Sequence, residues 1–152
     1  MKAFSLTIKA MHIVRIDPGE DVLEAVQQFI DDSGVKQAVV VAGYGTLVAH
    51  SLHWVTHTRI PTDNRFETGE GAIEVLSMNG LVTDGEPHIH VTLSTPEGAY
   101  GGHLEPGCRA YVLCEVYLAE IEGTDLHRVR VPVAIPDMGE GTIPRLVDES
   151  GD

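Results

Sequence analysis

Three histidines lie within residues 85–104, and their spacing could bring three imidazoles to one spot. His88 and His90 are separated by one residue, so in a β-strand both side chains project from the same face, about 7 Å apart. His103 follows a segment at 95–98 in which proline and glycine occupy favoured β-turn positions. Three histidines that leave one coordination position open are typical of sites for zinc or a related divalent metal.

The register of this hairpin decides whether the third histidine faces the other two. If only two residues form the loop, His90 lies opposite His103 on the same face. A one-residue bulge at Gly98 would instead put Val91 opposite His103 and turn the histidine away. The glycine pair before His103 could restore the register by a second irregularity. The sequence leaves these geometries open, together with the simpler interpretation of three polar residues on a solvated sheet face.

A second histidine group surrounds Trp54. His50, His53 and His57 have helical spacing, but the segment is typical of a strand, in which only His53 and His57 share a face. Exposed polar positions beside a partly buried tryptophan explain the group more simply, and its role stays open. Two isolated histidines are expected to take no part in a site: His12 and His127.

Two glutamates could complete a site. Glu74 and Glu115 lie in predicted strands with strongly apolar neighbours, and a buried, unpaired carboxylate is costly. Arg15 is the candidate partner, or a clamp for a carboxylate or phosphate ligand. An ion pair across strands explains the three residues at least as well as a role in ligand binding or catalysis.

No catalytic residue can be assigned from motifs. The sequence has no G-x-S-x-G nucleophile motif, and no glycine-rich loop with P-loop or dinucleotide-binding spacing. Cys108 and Cys114 lie six positions apart in one predicted strand, roughly 20 Å from each other, which is beyond disulfide reach. Both thiols are therefore predicted to pack in the core.

Composition limits the class of protein. The chain has 152 residues, of which 43% are hydrophobic, as expected for one soluble globular domain. No apolar run approaches the roughly 20 residues that cross a bilayer, and no signal peptide is recognisable, which predicts a cytoplasmic location. The net charge is −13, from 10 basic and 23 acidic residues. This charge disfavours binding to DNA or to anionic membranes, because both depend on lysine and arginine.

Hydrophobic periodicity predicts an α+β domain at residues 1–137, followed by an acidic, glycine-rich and partly ordered tail at 138–152. One main helix is expected over residues 18–33, with Asp17 as its cap and Gly34 as its stop. Seven or eight strands are expected in a largely antiparallel sheet. After an opening strand region at 4–16, they are predicted at 36–49, 51–58, 72–83, 87–95, 100–104, 109–121 and 126–133.

The motifs resemble those of the PPC (plants and prokaryotes conserved) domain. The family pattern G-x-P-H-x-H-x-x-L followed by G-G-H is matched by Gly85, Pro87, His88, His90, Leu93, Gly101, Gly102 and His103. Three flanking segments match as well: the E-I-L-S-L-x-G strand at 74–80, the R-x-x-x-G-E-D helix entry from Arg15 to Asp21, and the glycine-rich segment Gly43–Gly45. Together the similarity covers about residues 10–135.

The resemblance implies an α+β homotrimer in which the three histidines lie near a subunit interface and can hold a divalent metal, with zinc as the first candidate. The family also carries a DNA-binding label, inherited partly from plant members with a basic AT-hook, which this chain lacks. Three hypotheses follow: a trimeric metal-binding module with a small-molecule or regulatory role, a metal-dependent hydrolase or lyase, and a DNA-binding regulator. In the second, Glu74 or Glu115 would move protons. The charge of the chain disfavours the third.

Overall fold

The computed structural model describes residues 1–150, which contain one helix and eight strands. All strand pairings within its sheets are antiparallel, which confirms the predicted α+β class. The helix is α1 (Val22–Ser33), and the strands are β1 (Thr7–Ile16), β2 (Ala38–Val55), β3 (Asn64–Thr83), β4 (Glu86–Thr95), β5 (Gly98–Leu104), β6 (Arg109–Glu122), β7 (Leu126–Ile135) and β8 (Gly139–Asp148).

Helix α1 begins at Val22 rather than at residue 18. The predicted cap, Asp17, belongs instead to a turn in which its carbonyl accepts a hydrogen bond from the Glu20 backbone N–H. Asp21 is the true cap, because its side chain accepts from the N–H groups of the second and third helical residues. Gly34 ends the helix at a φ of 72°, as predicted. Within residues 1–150, no helix is long and apolar enough to cross a membrane.

Strand β2 organises the main sheet, whose order is β1-β6-β2-β3-β4-β5. Along one edge β2 pairs with β3; along the other it pairs first with β6 and then, near its end, with β5. Since β3 also pairs with β4 and β4 with β5, strands β2 to β5 form a closed ring. The two strands predicted at 36–49 and 51–58 form the single strand β2. Strand β3 starts eight residues before the predicted 72, because the end of β2 pairs with it.

The core lies between α1 and one face of this sheet. The helix contributes Val22, Val26 and Ile30, all nearly fully buried. Cys108 and Cys114 are also fully buried and unpaired, which confirms that both thiols pack in the core. Burial of the thiols raises the pKa of Cys108 to about 11 and that of Cys114 to about 12, so neither is a reactive thiolate at neutral pH.

The structure differs from the predicted tail at residues Gly139–Asp148. These residues form β8, which pairs along its whole length with β7 in a separate two-stranded sheet. Glycine and acidic residues have low strand propensity, so the strand exists because β7 supplies its backbone partners. Residues 151 and 152 of the predicted tail lie outside the described part of the chain, and the domain boundary at 137 stays a prediction.

Candidate metal centre

The hairpin β4–β5 brings the three predicted histidines to one face of the sheet. Only Pro96 and Glu97 lie between the two strands, and His90 pairs directly with His103 in a ladder without a bulge. The ring centroid of His88 lies 4.4 Å from that of His103 and 5.3 Å from that of His90. The register that a two-residue loop predicts is therefore confirmed.

The ring nitrogens are spaced, in pairs, as ligands of one ion would be. His103 Nε2 lies 3.2 Å from His88 Nδ1, and His88 Nε2 lies 3.3 Å from His90 Nε2. Zinc–nitrogen bonds of about 2.0–2.1 Å in a tetrahedral site separate the ligand nitrogens by about 3.3–3.4 Å. His88 faces its neighbours with different nitrogens, so the ring must turn before the three histidines can share one ion. Three imidazoles are the donor type that a divalent metal such as zinc prefers.

Two further residues, His53 and Glu105, lie against the same imidazoles, although the sequence pattern assigned neither to this site. His53 in β2 pairs with His103 in β5, and the two rings stack with centroids 4.4 Å apart. Glu105 Oε1 lies 2.5 Å from His53 Nδ1 and 3.3 Å from His103 Nδ1. The ligand atoms of His53, His103 and Glu105 all lie within 4.8 Å of one another. We call the five residues the histidine cluster: His53, His88, His90, His103 and Glu105.

Burial favours the neutral form of the central imidazoles. Desolvation, followed by the repulsion of neighbouring His103 and Arg128, lowers the pKa of His88 to about 4. Desolvation also lowers the pKa of His103, and the adjacent His53 acts in the same direction. A neutral imidazole has the free lone pair that a metal ion requires, whereas a protonated one does not. At neutral pH these histidines are therefore in the form that binds metal.

One buried nitrogen of the histidine cluster lacks a hydrogen-bond partner in the described residues. His103 Nδ1 is buried and has no hydrogen bond within the described chain, because its 3.3 Å contact with Glu105 does not meet the angular requirement of a hydrogen bond. A buried ring nitrogen without a partner is costly. A modest rotation of the His103 ring toward the carboxylate would satisfy it.

A cleft of about 580 Å³ opens beside the histidine cluster, with Trp54 and Asn79 among its lining residues. The Trp54 indole N–H donates a hydrogen bond to the Gly101 carbonyl. This bond holds the indole ring in place as one wall of the cleft. A Cβ atom at Gly102 would lie 2.8 Å from the His53 carbonyl oxygen. Glycine is therefore needed where β5 approaches β2. The cleft itself has a volume within the range of small-molecule sites.

Comparison with known proteins identifies the family. The sequence model of the Plants and Prokaryotes Conserved (PCC) domain, the PPC domain of the motifs above, matches residues 4–122. The chain belongs to this family. The matched region contains α1, strands β1–β6 and the whole histidine cluster, whereas β7 and β8 lie beyond it.

Solved structures share the PPC fold. A plant- and prokaryote-conserved (PPC) protein from Pyrococcus horikoshii is 28% identical, with a TM-score of 0.71 over 84% of this chain and 90% of that one. The metal-containing protein AF0104 from Archaeoglobus fulgidus is 23% identical, with a TM-score of 0.72 over 92% and 96%. A protein from Ralstonia eutropha JMP134 whose name proposes DNA binding is 20% identical, with a TM-score of 0.63 over 89% and 90%.

Curated relatives that match this chain are much longer proteins. The bifunctional protein GlmU from two Synechococcus strains is 26% identical to this chain over 108 residues. That alignment covers 70% of this chain and 16% of each GlmU protein. The chain thus spans about a sixth of the length of the curated relatives it matches.

The structure places Arg15, Glu74 and Glu115 away from the histidine cluster of this PPC domain. Arg15 Nε lies 2.9 Å from Asp17 Oδ1, so its ion-pair partner is neither glutamate. The Glu115 carboxylate accepts a hydrogen bond from the Tyr44 hydroxyl at 2.6 Å. Glu74 is exposed on β3, because its side chain points out of the sheet rather than into the core. A ligand-binding role for these residues stays a prediction.

The other members of the second histidine group do not reach the histidine cluster. His50 Nδ1 lies 3.4 Å from the Tyr100 hydroxyl. Strand β2 ends at Val55, so His57 lies in the following loop, where its Nδ1 accepts from the Arg59 backbone N–H. Of this group, only His53 joins the imidazoles of the β4–β5 hairpin.

His127, expected to be isolated, contacts two carboxylates. Its Nδ1 lies 2.6 Å from Asp84 Oδ1, and its Nε2 lies 3.1 Å from Asp125 Oδ1. Hydrogen bonds to Asp125 and Asp84 raise the pKa of His127 above its ordinary value. His12 similarly lies 3.3 Å from Glu120.

Proposed function

We propose that this PPC domain binds a divalent metal, zinc, through His88, His90 and His103, and acts as a small-molecule-binding or regulatory module. The observation that carries the proposal is the spacing of the imidazole nitrogens, 3.2 and 3.3 Å in two pairs. The fold shared with a metal-containing protein from Archaeoglobus fulgidus supports it. When bound, the metal would link strands β4 and β5 beside the cleft.

Zinc content and zinc affinity test the proposal. Metal-replete wild-type protein is expected to retain zinc, and His88→Ala is expected to lose it, with an affinity loss beyond the ~10–100-fold typical of outer-shell residues. His12→Ala removes a histidine outside the histidine cluster and should bind zinc as the wild type does. Wild-type protein that retains no zinc, or His88→Ala protein that binds it normally, would contradict the proposal.

The proposed assembly is a homotrimer. The trimeric number comes from the family resemblance, and an exposed apolar surface on the sheet supports self-association. Met11 and Ile13 of β1 are 56% and 61% exposed, and Tyr44 and Leu113 are 42% and 40% exposed. Tyr117 connects two of these residues, since it pairs with Ile13 and stacks on Tyr44. An exposed apolar patch of this kind marks a protein interface.

Sedimentation velocity tests this assembly. Wild-type protein is expected to sediment as a trimer, and Ile13→Asp is expected to shift it toward the monomer by placing a charge in the apolar patch. Met138→Asp alters an exposed apolar residue in the β7–β8 turn and should leave the trimer intact. A wild-type monomer at micromolar concentration would exclude this part of the proposal.

We propose no independent DNA binding, although a protein of the same fold is named for it. With 10 basic and 23 acidic residues, the chain would repel phosphates rather than release their counterions. When the protein is added to fluorescently labelled duplex DNA of mixed sequence at physiological salt, we expect the anisotropy of the DNA to stay unchanged. A salt-dependent rise in anisotropy would contradict this.

An alternative is a metal-dependent hydrolase or lyase. The feature that favours it is the cleft of about 580 Å³ that the four histidines of the cluster line, since a small substrate could reach the metal there. Glu105, rather than the predicted Glu74 or Glu115, is the carboxylate beside the imidazoles. Zinc-dependent turnover of a panel of esters and 2-oxo acids that His88→Ala abolishes would support the enzyme over the binding module.

The proposal also includes the cytoplasmic location predicted from the sequence. Both cysteines are free in the structure, as in most proteins of a reducing compartment. Cell fractionation with an antibody to the chain tests the location, and recovery in the extracellular or membrane fraction would contradict it.

A further inference from the structure

We propose that His53 is a fourth imidazole ligand of the metal centre and that Glu105 orients both His53 and His103. This inference rests on the proposed function, because it adds residues to that metal site. It assigns a ligand to β2, outside the hairpin that carries the other three histidines.

The backbone places His53 beside the hairpin histidines. Strand β5 reaches β2 through two residue pairs, Leu52–Leu104 and His53–His103. Leu52 and Leu104 are fully buried, so the junction is anchored in the core. The adjoining His53 and His103 rings stack at a centroid distance of 4.4 Å and an angle of 22°. His53 is therefore held by a rigid element rather than by a loop.

The Glu105 carboxylate lies at the same edge of both rings. Its Oε1 atom is 2.5 Å from His53 Nδ1 and 3.3 Å from His103 Nδ1. Histidine ligands of metals nearly always donate their other ring N–H to a carboxylate, carbonyl or water, which fixes the tautomer. With Nδ1–H directed at Glu105, each ring keeps its Nε2 lone pair free. His103 Nε2 already faces His88 at 3.2 Å.

The unpartnered nitrogen of His103 fits the same arrangement. His103 Nδ1 is buried without a hydrogen bond, although Glu105 lies within reach of it. Once Nε2 binds an ion, a small ring rotation brings Nδ1–H onto the carboxylate and removes the cost of an unpaired buried nitrogen. Glu105 thereby acts as a positioning residue, because it works through the two histidines.

Four imidazole ligands would close the coordination sphere. Structural zinc sites use four protein ligands, whereas catalytic sites leave one position for water or substrate. His53 lines the same cleft as His88, His90 and His103, so its removal should open one position toward that cleft. This difference can be detected without any enzymatic activity.

Cobalt(II) is the probe for the test, because its visible absorption reports coordination number and exchangeable ligands. The wild-type protein is expected to bind cobalt(II) with a four-coordinate spectrum that azide does not change. His53→Ala is expected to bind at least about tenfold more weakly, with a spectrum that azide shifts. His50→Ala, which changes the neighbouring histidine of β2 that contacts Tyr100, is the matched control and should behave as the wild type.

Glutamate substitutions test the positioning role. Glu105→Ala is expected to weaken cobalt(II) binding by about 10–100-fold. Glu105→Gln should restore part of that loss, because its amide oxygen still accepts a hydrogen bond from an imidazole N–H. Equal losses in the two variants would contradict the positioning role and indicate that the carboxylate binds the metal directly.

The outcomes separate this inference from the proposed function. If wild-type protein binds neither zinc nor cobalt(II), both fail. If His88→Ala abolishes binding while His53→Ala binds as tightly as the wild type and azide shifts both spectra, only the fourth ligand is excluded. Circular dichroism and thermal unfolding establish that each variant folds. If His53→Ala does not fold, His53→Gln takes its place in the test.

Discussion

Two regions of the molecule hold imidazoles against carboxylates, in opposite proportions. In the histidine cluster four imidazoles lie together, and the single carboxylate of Glu105 contacts two of them. Three of the four rings are partly buried. At His127 one imidazole lies between two carboxylates, Asp84 and Asp125, at the surface. Burial lowers the pKa of His88 to about 4, whereas the two aspartates raise that of His127.

The difference shows that surroundings, rather than residue type, decide what a histidine can do. Neutral imidazoles with free lone pairs are metal ligands, whereas an imidazolium between carboxylates is a cation in an ion pair. The family motif contains three of the cluster histidines but neither His53 nor His127. These two histidines outside the motif therefore have different surroundings: His53 stacks on a histidine of the motif, and His127 connects the β3–β4 turn to β7.

The largest expected effect comes from crowding the β2–β5 junction. A Cβ atom at Gly102 would lie 2.8 Å from the His53 carbonyl oxygen and 3.0 Å from the Trp54 ring. We expect Gly102→Ala to destabilise the protein by about 1–3 kcal/mol and to separate His53 from His103, as measured by urea unfolding and cobalt(II) affinity.

Gly123, in the turn between β6 and β7, provides the contrast for that variant. It has a φ of 79° and no heavy atom within 4 Å of an added Cβ. Gly123→Ala should cost about 1–2 kcal/mol from backbone strain alone and leave metal affinity unchanged. Metal affinity that falls equally in both glycine variants would break the proposed link between the junction and the histidine cluster.

Acid is expected to destabilise the protein through the histidine cluster. An unfolded His88 binds a proton near pH 6.5, whereas the folded one does so near a pKa of about 4. Between these values the unfolded state binds more protons, so stability falls as the pH falls. We expect His88→Gln to remove about 1–2 kcal/mol of the loss between pH 7 and pH 4, less than the full shift because the ring is partly exposed.

Urea unfolding of both proteins across that pH range measures the effect. The comparison between wild type and His88→Gln cancels the acid response of the carboxylates that the two proteins share. Parallel stability curves would show that folded His88 titrates like an exposed histidine and would contradict its lowered pKa.

The smallest effect is expected at His127, and its sign is opposite. Its folded pKa is raised, so its contribution to stability is complete below about pH 6.5 and is lost as the pH rises through the folded value. Nuclear magnetic resonance titration should show the raised pKa in the wild type and a lower one in Asp84→Asn. Asparagine suits this position, because Asp84 has a φ of 57° and asparagine tolerates the left-handed region.

Urea unfolding provides the second readout for Asp84→Asn. Because His127 is at the surface, the midpoint should change little. A His127 pKa that is the same with and without the Asp84 carboxylate would remove the contrast between the two regions.

Several features of the fold were predictable because they depend on neighbouring residues. Side chains alternate along β4, which places His88 and His90 on one face. Gly34 ends α1 because the left-handed conformation there favours glycine. The alternation of apolar residues around Cys108 and Cys114 likewise places both thiols in the core.

Other features depend on residues that are distant in sequence. Local pattern favours Asp17 as the helix cap, but Asp21 takes that role, and its carboxylate also accepts from the Gly107 backbone N–H. Strand β8 has weak propensity and exists because β7 pairs with it. Arg15 could meet either glutamate by pattern, yet the nearer Asp17 binds it.

The histidine cluster combines both kinds of information. The sequence alone determined that His88 and His90 share one face, because strand alternation is a local property. It left the position of His103 open between a two-residue loop and a bulge, and the structure decided for the loop without a bulge. Only the tertiary structure decided that His53 and Glu105 join them. Strand β2 is long enough to pair with β6 and then with β5 along one edge, and this closure brings together residues about fifty positions apart.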